Sequence, residues 1–399
     1  SLNGTYVVGD GYALAYRDKP ASLPTITYGS GSTANFTGTI LNTYDGSTLY
    51  YLTPLPVNVV CTDSIDASSP DSFYQKITIG ENSYYYNPHF ARTVTVNDSK
   101  PAAPDTVAVR TARQLYDLSR HYGDYAAATA RSTFRQELDI DYGSYQWGNY
   151  TNYGTISEQS PIGYVGAKGN APFAAEYDGG YHSVTGVSFR SETLQTGMFG
   201  YVGSSGSIHD LYLVGSGNAV TYGSRTTSII TGSAARLHMG ALAGYNAGTI
   251  RNCAASGYTM EAYGYLSSTA SIGGLVGTNY GTIYNSQVDA PAIRTGNTNS
   301  TAYVGGFAGQ NHGAITASYA VGALTIREAR NSTVILAGFT ANNESGVIRR
   351  CYSAAALIAA GDAEAYGFAP LGGLTDRAYY LDGGTYSYVG RLYAYNAGE

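Results

Sequence analysis

The sequence predicts an all-β protein in which a small β-sandwich and one α-helix precede a long solenoid of stacked strands. Three observations support this prediction. The 399 residues include 51 Gly and 40 Tyr but only 13% charged residues, a composition typical of short strands and tight turns. A short Gly-rich phrase recurs with a nearly constant period between residues 240 and 346. A proline-containing break near residue 100 separates the repeats from the first hundred residues.

The first hundred residues contain several short β-prone runs separated by turn residues. The clearest runs lie at residues 5–8, 25–28, 55–60, 75–79 and 93–96. Strands of this length and spacing predict a small β-sandwich. Pro101 and Pro104 then form a stiff, extended connector. We therefore expect one domain over residues 1–100 and a second over residues 105–399.

One helix is expected, from Ala112 to about Tyr122. Thr111 is a suitable N-cap, and Gln114 stands at the capping-box position. Leu115 and Leu118 fall on one face of this helix. A single amphipathic helix in front of a long β region is expected to cover the open end of a stack of strands.

The repeats are marked by a glycine that precedes Thr-Ile, Ala-Ile or Val-Ile. Successive copies, at Gly248, Gly281, Gly313 and Gly346, are separated by 33, 32 and 33 residues. Each of the first three copies ends an Asn-x-Gly turn, in which we expect the glycine to adopt a positive φ or to pack closely. One unit has too little core to fold alone, so the repetition predicts stacked coils. The predicted structural residues are Gly244, Gly248, Gly277, Gly281, Gly309, Gly313, Gly346, Asn246, Asn279 and Asn311.

These phrases resemble the GLUG motif of large bacterial surface proteins. The matching segments are Gly274-Leu275-Val276-Gly277, Gly306-Phe307-Ala308-Gly309 and Ala241-Leu242-Ala243-Gly244, while Ala337-Gly338-Phe339-Thr340 lacks the final glycine. Upstream, residues 111–115, 138–141, 161–163 and 172–182 come in the order usual at the start of such folds. The resemblance spans about residues 106 to 382.

The resemblance implies a right-handed parallel β-helix in a secreted or cell-surface protein, such as an adhesin. It brings no catalytic residue and no cofactor with it. The first hundred residues resemble the immunoglobulin-like modules that accompany such β-helices. We therefore expect a non-enzymatic extracellular protein that is structural or adhesive, displayed on the cell surface or assembled head to tail into a fibre or surface layer. The alternatives are a carbohydrate-active β-helix enzyme, either a lyase or a hydrolase, and a stalk segment of a larger secreted protease.

An enzyme would need clustered carboxylates on one exposed sheet face. The candidates are Asp139, Asp141, Asp178 and His182. Asp139 and Asp141 alternate with apolar residues, so both are expected to face solvent, as a catalytic or metal-binding pair or as an ordinary solvated strand face. Asp178 is first interpreted as a turn residue, and His182 as a surface residue beside that turn rather than as an acid or base. No catalytic, cofactor or metal site is therefore expected.

The charge and the cysteine content argue against nucleic-acid binding and against a disulfide framework. A net charge of −6 without a Lys/Arg cluster argues against nucleic acid, and there is no apolar run of membrane-spanning length. Cys61, Cys253 and Cys351 do not form a disulfide framework. Cys253 and Cys351 occupy equivalent repeat positions about 14 Å apart if each repeat is one coil, so they should be reduced and face inward.

The sequence predicts a short strand near each chain terminus, at residues 2–8 and 386–395. We expect one of them to pair with a neighbouring subunit, so that subunits join head to tail. The alternative is that each strand pairs within its own domain. Surface glycans and host proteins are further candidate partners.

Overall fold

The architecture is all-β with one α-helix and is seen in a computed structural model. It describes residues 99–145, 156–166, 169–223, 236–262, 269–297, 301–330, 334–343 and 345–359, with strand backbones and a few side chains before residue 99 and strand backbones after residue 359. The chain divides into two compact units, one of residues 1–134 with 145–155 and one of residues 135–144 with 156–399.

The first unit contains one antiparallel sheet of seven strands, arranged in chain order. Its strands are β1 (Gly4–Val8), β2 (Tyr12–Tyr16), β3 (Ser32–Tyr44), β4 (Leu49–Cys61), β5 (Gln75–Ile79), β6 (Asn82–Asn87) and β7 (Arg92–Thr95). Strand β8 (Thr106–Val109) follows the proline connector. The β content of this region was predicted, whereas an immunoglobulin-like sandwich stays a prediction, because the described strands form a single sheet in chain order.

The predicted helix is present as α1 (Ala112–Tyr125), which ends three residues later than expected. The Thr111 side chain accepts a hydrogen bond from the Gln114 backbone N–H at 3.2 Å, and the Gln114 side chain accepts one from the Arg110 N–H at 2.7 Å. Both bonds satisfy backbone donors near the start of the helix. The N-cap prediction is therefore confirmed.

Aromatic packing places α1 in the first unit, although the sequence analysis grouped it with the repeats in a domain of residues 105–399. The Tyr125 ring lies 5.7 Å from the Phe73 ring and 6.5 Å from the Phe90 ring, both approached edge-on. Leu115 and Leu118 are fully buried, as their shared face predicts. The expectation that α1 covers the end of the repeat stack stays a prediction.

The second unit and the segment leading into it consist of short strands. They are β9 (Thr133–Gln136), β10 (Ile140–Asp141), β11 (Glu158–Gln159), β12 (Tyr164–Gly166), β13 (Gly169–Ala171), β14 (Glu176–Thr185), β15 (Ser188–Ser191), β16 (Gln195–Thr196), β17 (Phe199–Val202), β18 (Ser207–Val214), β19 (Ala219–Tyr222), β20 (Leu237–Met239), β21 (Ala243–Asn246), β22 (Thr249–Arg251), β23 (Ala254–Ser256), β24 (Thr259–Ala262), β25 (Ala270–Gly273), β26 (Val276–Asn279), β27 (Thr282–Tyr284), β28 (Gln287–Asn297), β29 (Ala302–Gly305), β30 (Ala308–Asn311), β31 (Ala314–Thr316), β32 (Tyr319–Arg330), β33 (Val334–Ala337), β34 (Thr340–Asn342), β35 (Val347–Arg349), β36 (Tyr352–Ala359), β37 (Ala363–Tyr366), β38 (Leu374–Asp376), β39 (Ala378–Asp382) and β40 (Thr385–Val389).

Each repeat contributes strands to three stacks of parallel strands. The first stack runs β16-β20-β25-β29-β33-β37 and the second runs β17-β21-β26-β30-β34. The third stack contains the series β18-β22-β27-β31-β35 and the strands that follow its members, among them the long strands β28, β32 and β36. Strands in one repeat therefore pair in parallel with the equivalent strands of the next, which confirms the predicted all-β, parallel, stacked arrangement.

A column of isoleucines shows how regular the register is. Ile208 pairs with Ile250, Ile250 with Ile283, Ile283 with Ile315, and Ile315 with Ile348. All five side chains are fully buried. Burial of one apolar row along the stack supplies the core that a single repeat lacks.

The repeat glycines differ from the expectation in one respect. Gly248, Gly281, Gly313 and Gly346 do not have a positive φ. The left-handed conformation falls instead a few residues later, on Asn252, Asn285, Ala317 and Arg350, with φ between 48° and 53°. Of the two alternatives expected for these glycines, a positive φ is absent and close packing is present.

The two terminal strands pair within the chain. β1 pairs in antiparallel register with β2, and β40 pairs in the same manner with β39. This is the alternative that the sequence analysis left open for both strands. Among the described strands, β1 stands at the edge of its sheet.

Among the described residues, no helix is both long and apolar enough to cross a membrane.

Candidate functional site

The predicted asparagines form a buried ladder along the repeats. The Asn246 side-chain N–H donates to the Asn279 Oδ1 at 2.8 Å, Asn279 donates to Asn311 at 2.8 Å, and Asn311 donates to Asn343 at 2.7 Å. All four residues are fully buried. Each amide thus satisfies its neighbour in the next coil, which is the condition for burying polar groups.

The predicted glycines lie where two coils approach closely. A Cβ atom on Gly281 would lie 2.0 Å from the Gly248 carbonyl oxygen, and one on Gly313 would lie 2.1 Å from the Gly281 oxygen. The same holds for Gly244, Gly248, Gly277, Gly309 and Gly346, whose Cβ atoms would meet another residue within 2.2 to 2.5 Å. These residues serve the scaffold.

The regular pattern breaks between β14 and β18. The register of the two strands shifts between Asp178 and His182, where Gly179, Gly180 and Tyr181 form a bulge. Tyr181 has φ 63° and is 62% exposed. Asp210, on the facing strand, has φ 56°, which is the left-handed position that Asn252 occupies in the next repeat. Bulges and left-handed non-glycine residues concentrate at functional sites.

Charged side chains gather at this irregularity and are called here the His209 cluster, made of Glu176, Asp178, His209, Asp210 and Arg251. His209 Nε2 lies 2.8 Å from a Glu176 oxygen, and His209 Nδ1 lies 2.7 Å from Asp210 Oδ2 and 3.6 Å from Asp178 Oδ1. Arg251 Nη1 lies 3.5 Å from Asp210 Oδ2. His209 is 5% exposed, so its two carboxylate contacts are made in a largely desolvated setting.

The His209 cluster has two chemical capabilities. Asp178, His209 and Asp210 each offer one ligand atom within 4.8 Å of the others, which is close enough to hold a cation. An imidazole between two carboxylates can also move a proton. Partial burial raises the pKa of Asp210, but hydrogen bonds from Asn252 and His209 hold that pKa below its ordinary value.

The four sequence candidates lie in three places, namely the His209 cluster, the Asp139–His182 pair and a turn at Asp141. Asp178 belongs to the His209 cluster and is bound by Arg135 at 3.0 Å. Asp139 lies 3.4 Å from His182 Nδ1 and accepts a bond from the Ser183 N–H at 2.8 Å. That backbone bond lowers the pKa of Asp139. The Asp139–His182 pair is the more exposed of the two, whereas His209 and Asp210 are buried.

Asp141 holds a turn rather than a site. It accepts a hydrogen bond from the Gly143 N–H at 2.9 Å, and its pKa is lowered first by a bond from Ser144. Asp139 and Asp141 are exposed, as predicted. Leu138, however, is 54% exposed, so the alternation used to orient this strand was wrong there; β10 begins only at Ile140.

Sequence reasoning missed Glu176, His209 and Asp210. The usable signal was His209-Asp210 between Ile208 and Leu211, because two polar residues in a row interrupt an otherwise apolar strand. Their contacts with Glu176 and Asp178 join residues about one repeat apart in sequence, and no local pattern shows which residues of two neighbouring strands face each other.

A groove lies beside the cluster on the outer side of the third stack. It has a volume of about 280 Å³ and is lined by Tyr181, Tyr212, Asn252, Ala254, Asn285, Gln287 and Tyr319, with Cys253 and Ser286 at its floor. The Asn285 amide donates to Asn252 at 2.7 Å, and the Asn252 amide donates to Asp210 at 2.7 Å. A row of amides therefore joins the groove to the His209 cluster.

Other tyrosines form a stacked column on the second stack. The Tyr201 and Tyr245 rings are 4.5 Å apart, those of Tyr245 and Tyr280 are 5.4 Å apart, and those of Tyr280 and His312 are 4.5 Å apart, all nearly parallel. The face of each ring packs against the neighbouring ring of the column. This column therefore stabilises the stack and offers ligands mainly ring edges.

The two described cysteines are free, fully buried and on the inner side of the coil. Burial raises the pKa of the Cys253 and Cys351 thiols to about 12. Thiols of this kind are poor nucleophiles and poor metal ligands. Cys61 lies outside the residues whose side chains are described.

No known family model, no curated protein and no solved structure matches this chain.

Proposed function

We propose that this chain is a non-enzymatic extracellular protein with a structural or adhesive role, displayed on the cell surface or assembled head to tail into a fibre or surface layer. In this proposal, the repeats are of the GLUG type and wind as a right-handed parallel β-helix, preceded by an immunoglobulin-like sandwich. The low charge and the Tyr- and Gly-rich composition suit a scaffold that presents surface rather than a catalytic cleft.

The observation that carries the proposal is the in-register stack of equivalent residues. The isoleucine column and the buried asparagine ladder repeat from coil to coil without slippage. A scaffold in which each repeat is held by its neighbours is stiff along its axis and can extend by adding units. Such a rod holds surface features at fixed spacing, which is what display and adhesion require.

Self-association through terminal strands is part of the proposal. β1 lies at the edge of its sheet, and its unpaired side offers backbone donors and acceptors for strand addition. A head-to-tail contact that does not close produces a filament. Both terminal strands pair inside the chain, but among the described strands β1 stands at the end of its sheet and β40 does not, so we favour β1 as the assembling strand.

The test is adhesion and assembly of the purified full chain. Beads coated with the protein should be retained on immobilised mucin-type glycoprotein or matrix protein well above beads coated with albumin. Light scattering and negative-stain microscopy should show concentration-dependent filaments that deletion of residues 1–9 abolishes and deletion of residues 386–399 does not. Beads that behave like albumin controls, together with a monodisperse monomer at all concentrations, would contradict the proposal.

One observation favours a second candidate, a carbohydrate-active enzyme. The His209 cluster places three carboxylates around a buried imidazole beside a groove, an arrangement suited to acid–base chemistry on sugars. The test is release of reducing ends or unsaturated uronates from a panel of polysaccharides. Turnover that is lost in His209→Ala but retained in His182→Ala, which alters the more exposed His182–Asp139 pair, would establish the enzyme and overturn the non-enzymatic proposal.

A further inference from the structure

We propose that the groove between Tyr212 and Tyr319 is a binding subsite for a neutral saccharide, in which one sugar ring stacks over Ala254. The inference rests on the proposed adhesive function and names the ligand class for that function. It follows from the order of residues along one outward column of the third stack.

That column consists of tyrosines interrupted at two coils. Tyr212 pairs with Ala254, Ala254 with Gln287, Gln287 with Tyr319, and Tyr319 with Tyr352. Where two tyrosines are adjacent, at Tyr319 and Tyr352, their rings stack at 4.8 Å with only 6° between their planes. The groove occupies the two positions at which the column lacks a ring.

The interruption leaves aromatic faces turned toward the gap. One face of the Tyr319 ring is covered by Tyr352, so the other turns toward Gln287. Tyr212 has Tyr181 on the side of the preceding coil, with the rings 6.4 Å apart, so its other face turns toward Ala254. Tyrosine faces at the ends of a polar groove suit the C–H face of a pyranose, because such a ligand is apolar on its faces and polar at its edge.

The space over Ala254 fits one ring. Tyr212 and Gln287 are separated by two strand spacings, about 10 Å. With a contact distance of about 4 Å on either side, a single flat ring can enter between them. Ala254 contributes only a methyl group, and it is partly exposed. An aromatic side chain at this position would fill the space.

The polar groups around the gap suit hydroxyls. The amide ladder ends at Asn285, because the next coil carries Ala317 at the equivalent position. The Asn285 oxygen therefore faces the groove at the end of its ladder, and Gln287 is exposed beside it. The planar amides provide both donors and acceptors at one edge of the gap.

Charge selects among saccharides. Asp210 and Glu176 lie near the Tyr181 end, and the whole chain carries a charge of −6. This potential opposes uronic acids, sulfated sugars and nucleotides. The site therefore fits neutral or N-acetylated sugars, and the rival ligand class, an aromatic residue of a peptide, becomes an outcome of the test.

The test is titration calorimetry of the full chain with maltotriose, cellotriose and chitotriose, with trigalacturonate as the anionic probe and a Tyr-containing tripeptide as the peptide probe. We expect saturable binding of at least one neutral trisaccharide. Tyr212→Ala, which removes the ring face beside Ala254, should weaken it by about tenfold or more, and Tyr319→Ala, which removes the ring beyond Gln287, should weaken it less. The matched control is Tyr303→Ala, which removes a partly exposed tyrosine from the first stack and should bind as the unaltered chain does.

The Ala254→Tyr variant distinguishes a loss of trisaccharide binding from a loss of folding. The added ring would extend the tyrosine column from Tyr212 and fill the space over Ala254, so the thermal midpoint should be unchanged or raised while trisaccharide binding is lost. Binding that survives in Ala254→Tyr, or that occurs only with trigalacturonate or the tripeptide, would overturn the proposal, as would the absence of binding to every neutral probe. If the beads still adhere in that case, the ligand class is wrong and the adhesive function stands.

Discussion

The regular coils between residues 237 and 349 and the irregular segment between residues 176 and 214 are built on the same parallel stack but use their side chains differently. In the regular coils, polar groups are buried in ladders that satisfy themselves, such as Asn246, Asn279 and Asn311. In the irregular segment, charged groups of two neighbouring strands meet around His209, next to the bulge that contains Tyr181. Repetition therefore marks the scaffold, and departure from repetition marks the candidate site.

The largest effect should come from filling the close contact between regular coils. A Cβ on Gly281 would lie 2.0 Å from the Gly248 oxygen, so Gly281→Ala must push two coils apart. We expect a loss of about 3 kcal/mol in the free energy of unfolding, and more for Gly281→Val. Urea denaturation followed by circular dichroism measures this loss.

Gly203→Ala is the matched control for this prediction. Its added carbon would meet no atom closer than 3.4 Å, which is ordinary contact. The substitution should change the unfolding free energy by less than about 1 kcal/mol. Equal losses for the two variants would show that close approach of the coils is not what requires glycine at Gly281.

The second prediction concerns the buried ladder. Asn279→Ala removes the acceptor of Asn246 and the donor to Asn311, and both partners stay fully buried. Leaving these groups unsatisfied should cost about 2–3 kcal/mol. The comparison is Asn285→Ala in the exposed amide row, where water replaces the lost bond and Ala317 already occupies the equivalent left-handed position. We expect that change to cost less than about 1 kcal/mol; losses of similar size would contradict the contrast between buried and exposed ladders.

The contrast also explains how much the sequence could predict. The period of 32 to 33 residues, the inward Ile column and the glycine positions follow from recurrence, since each repeats the same local environment. The conformation of the turn does not: a glycine required for close approach and one required for a positive φ look alike in sequence. The helix was found from its cap, whereas its packing on Phe73 and Phe90 depends on contacts that no local pattern encodes. The His209 cluster was missed because its charged residues come from two neighbouring strands and meet only once, so the repeat pattern does not mark them.

A smaller effect is expected from pH at the edge of the regular coils. Burial, together with Arg236 and His312, lowers the pKa of His238 from 6.5 to about 4, while its Nδ1 contacts the Thr278 hydroxyl at 2.7 Å. Between these two values the unfolded chain binds more protons than the folded chain, so stability must fall as pH decreases through this window. Because His238 is only half-buried, we expect a loss of about 1 kcal/mol between pH 7 and pH 5. His238→Gln should flatten the thermal midpoint over this range, and an unchanged slope would assign the pH dependence to other groups.

The smallest effect is expected at the cysteines, and it tests whether each repeat is one coil. Cys253, Ser286, Ser318 and Cys351 occupy one inner column, in which the Ser286 N–H donates to Ser318 Oγ at 3.2 Å and the Cys253 N–H donates to Ser286 Oγ at 3.2 Å. The Cys351 thiol donates to the Arg349 carbonyl, as the Ser318 hydroxyl donates to the Thr316 carbonyl. Serine therefore fills the same role in the two intervening coils, and Cys351→Ser should change the unfolding free energy by less than about 1 kcal/mol.

Three coil spacings, about 14 Å, separate Cys253 from Cys351. Mass spectrometry of non-reduced protein should therefore find both thiols free, and they should be alkylated only after denaturation. A Cys253–Cys351 disulfide would require these coils to be rearranged, and the contrast between a repeating scaffold and a single irregular site would then lose its basis.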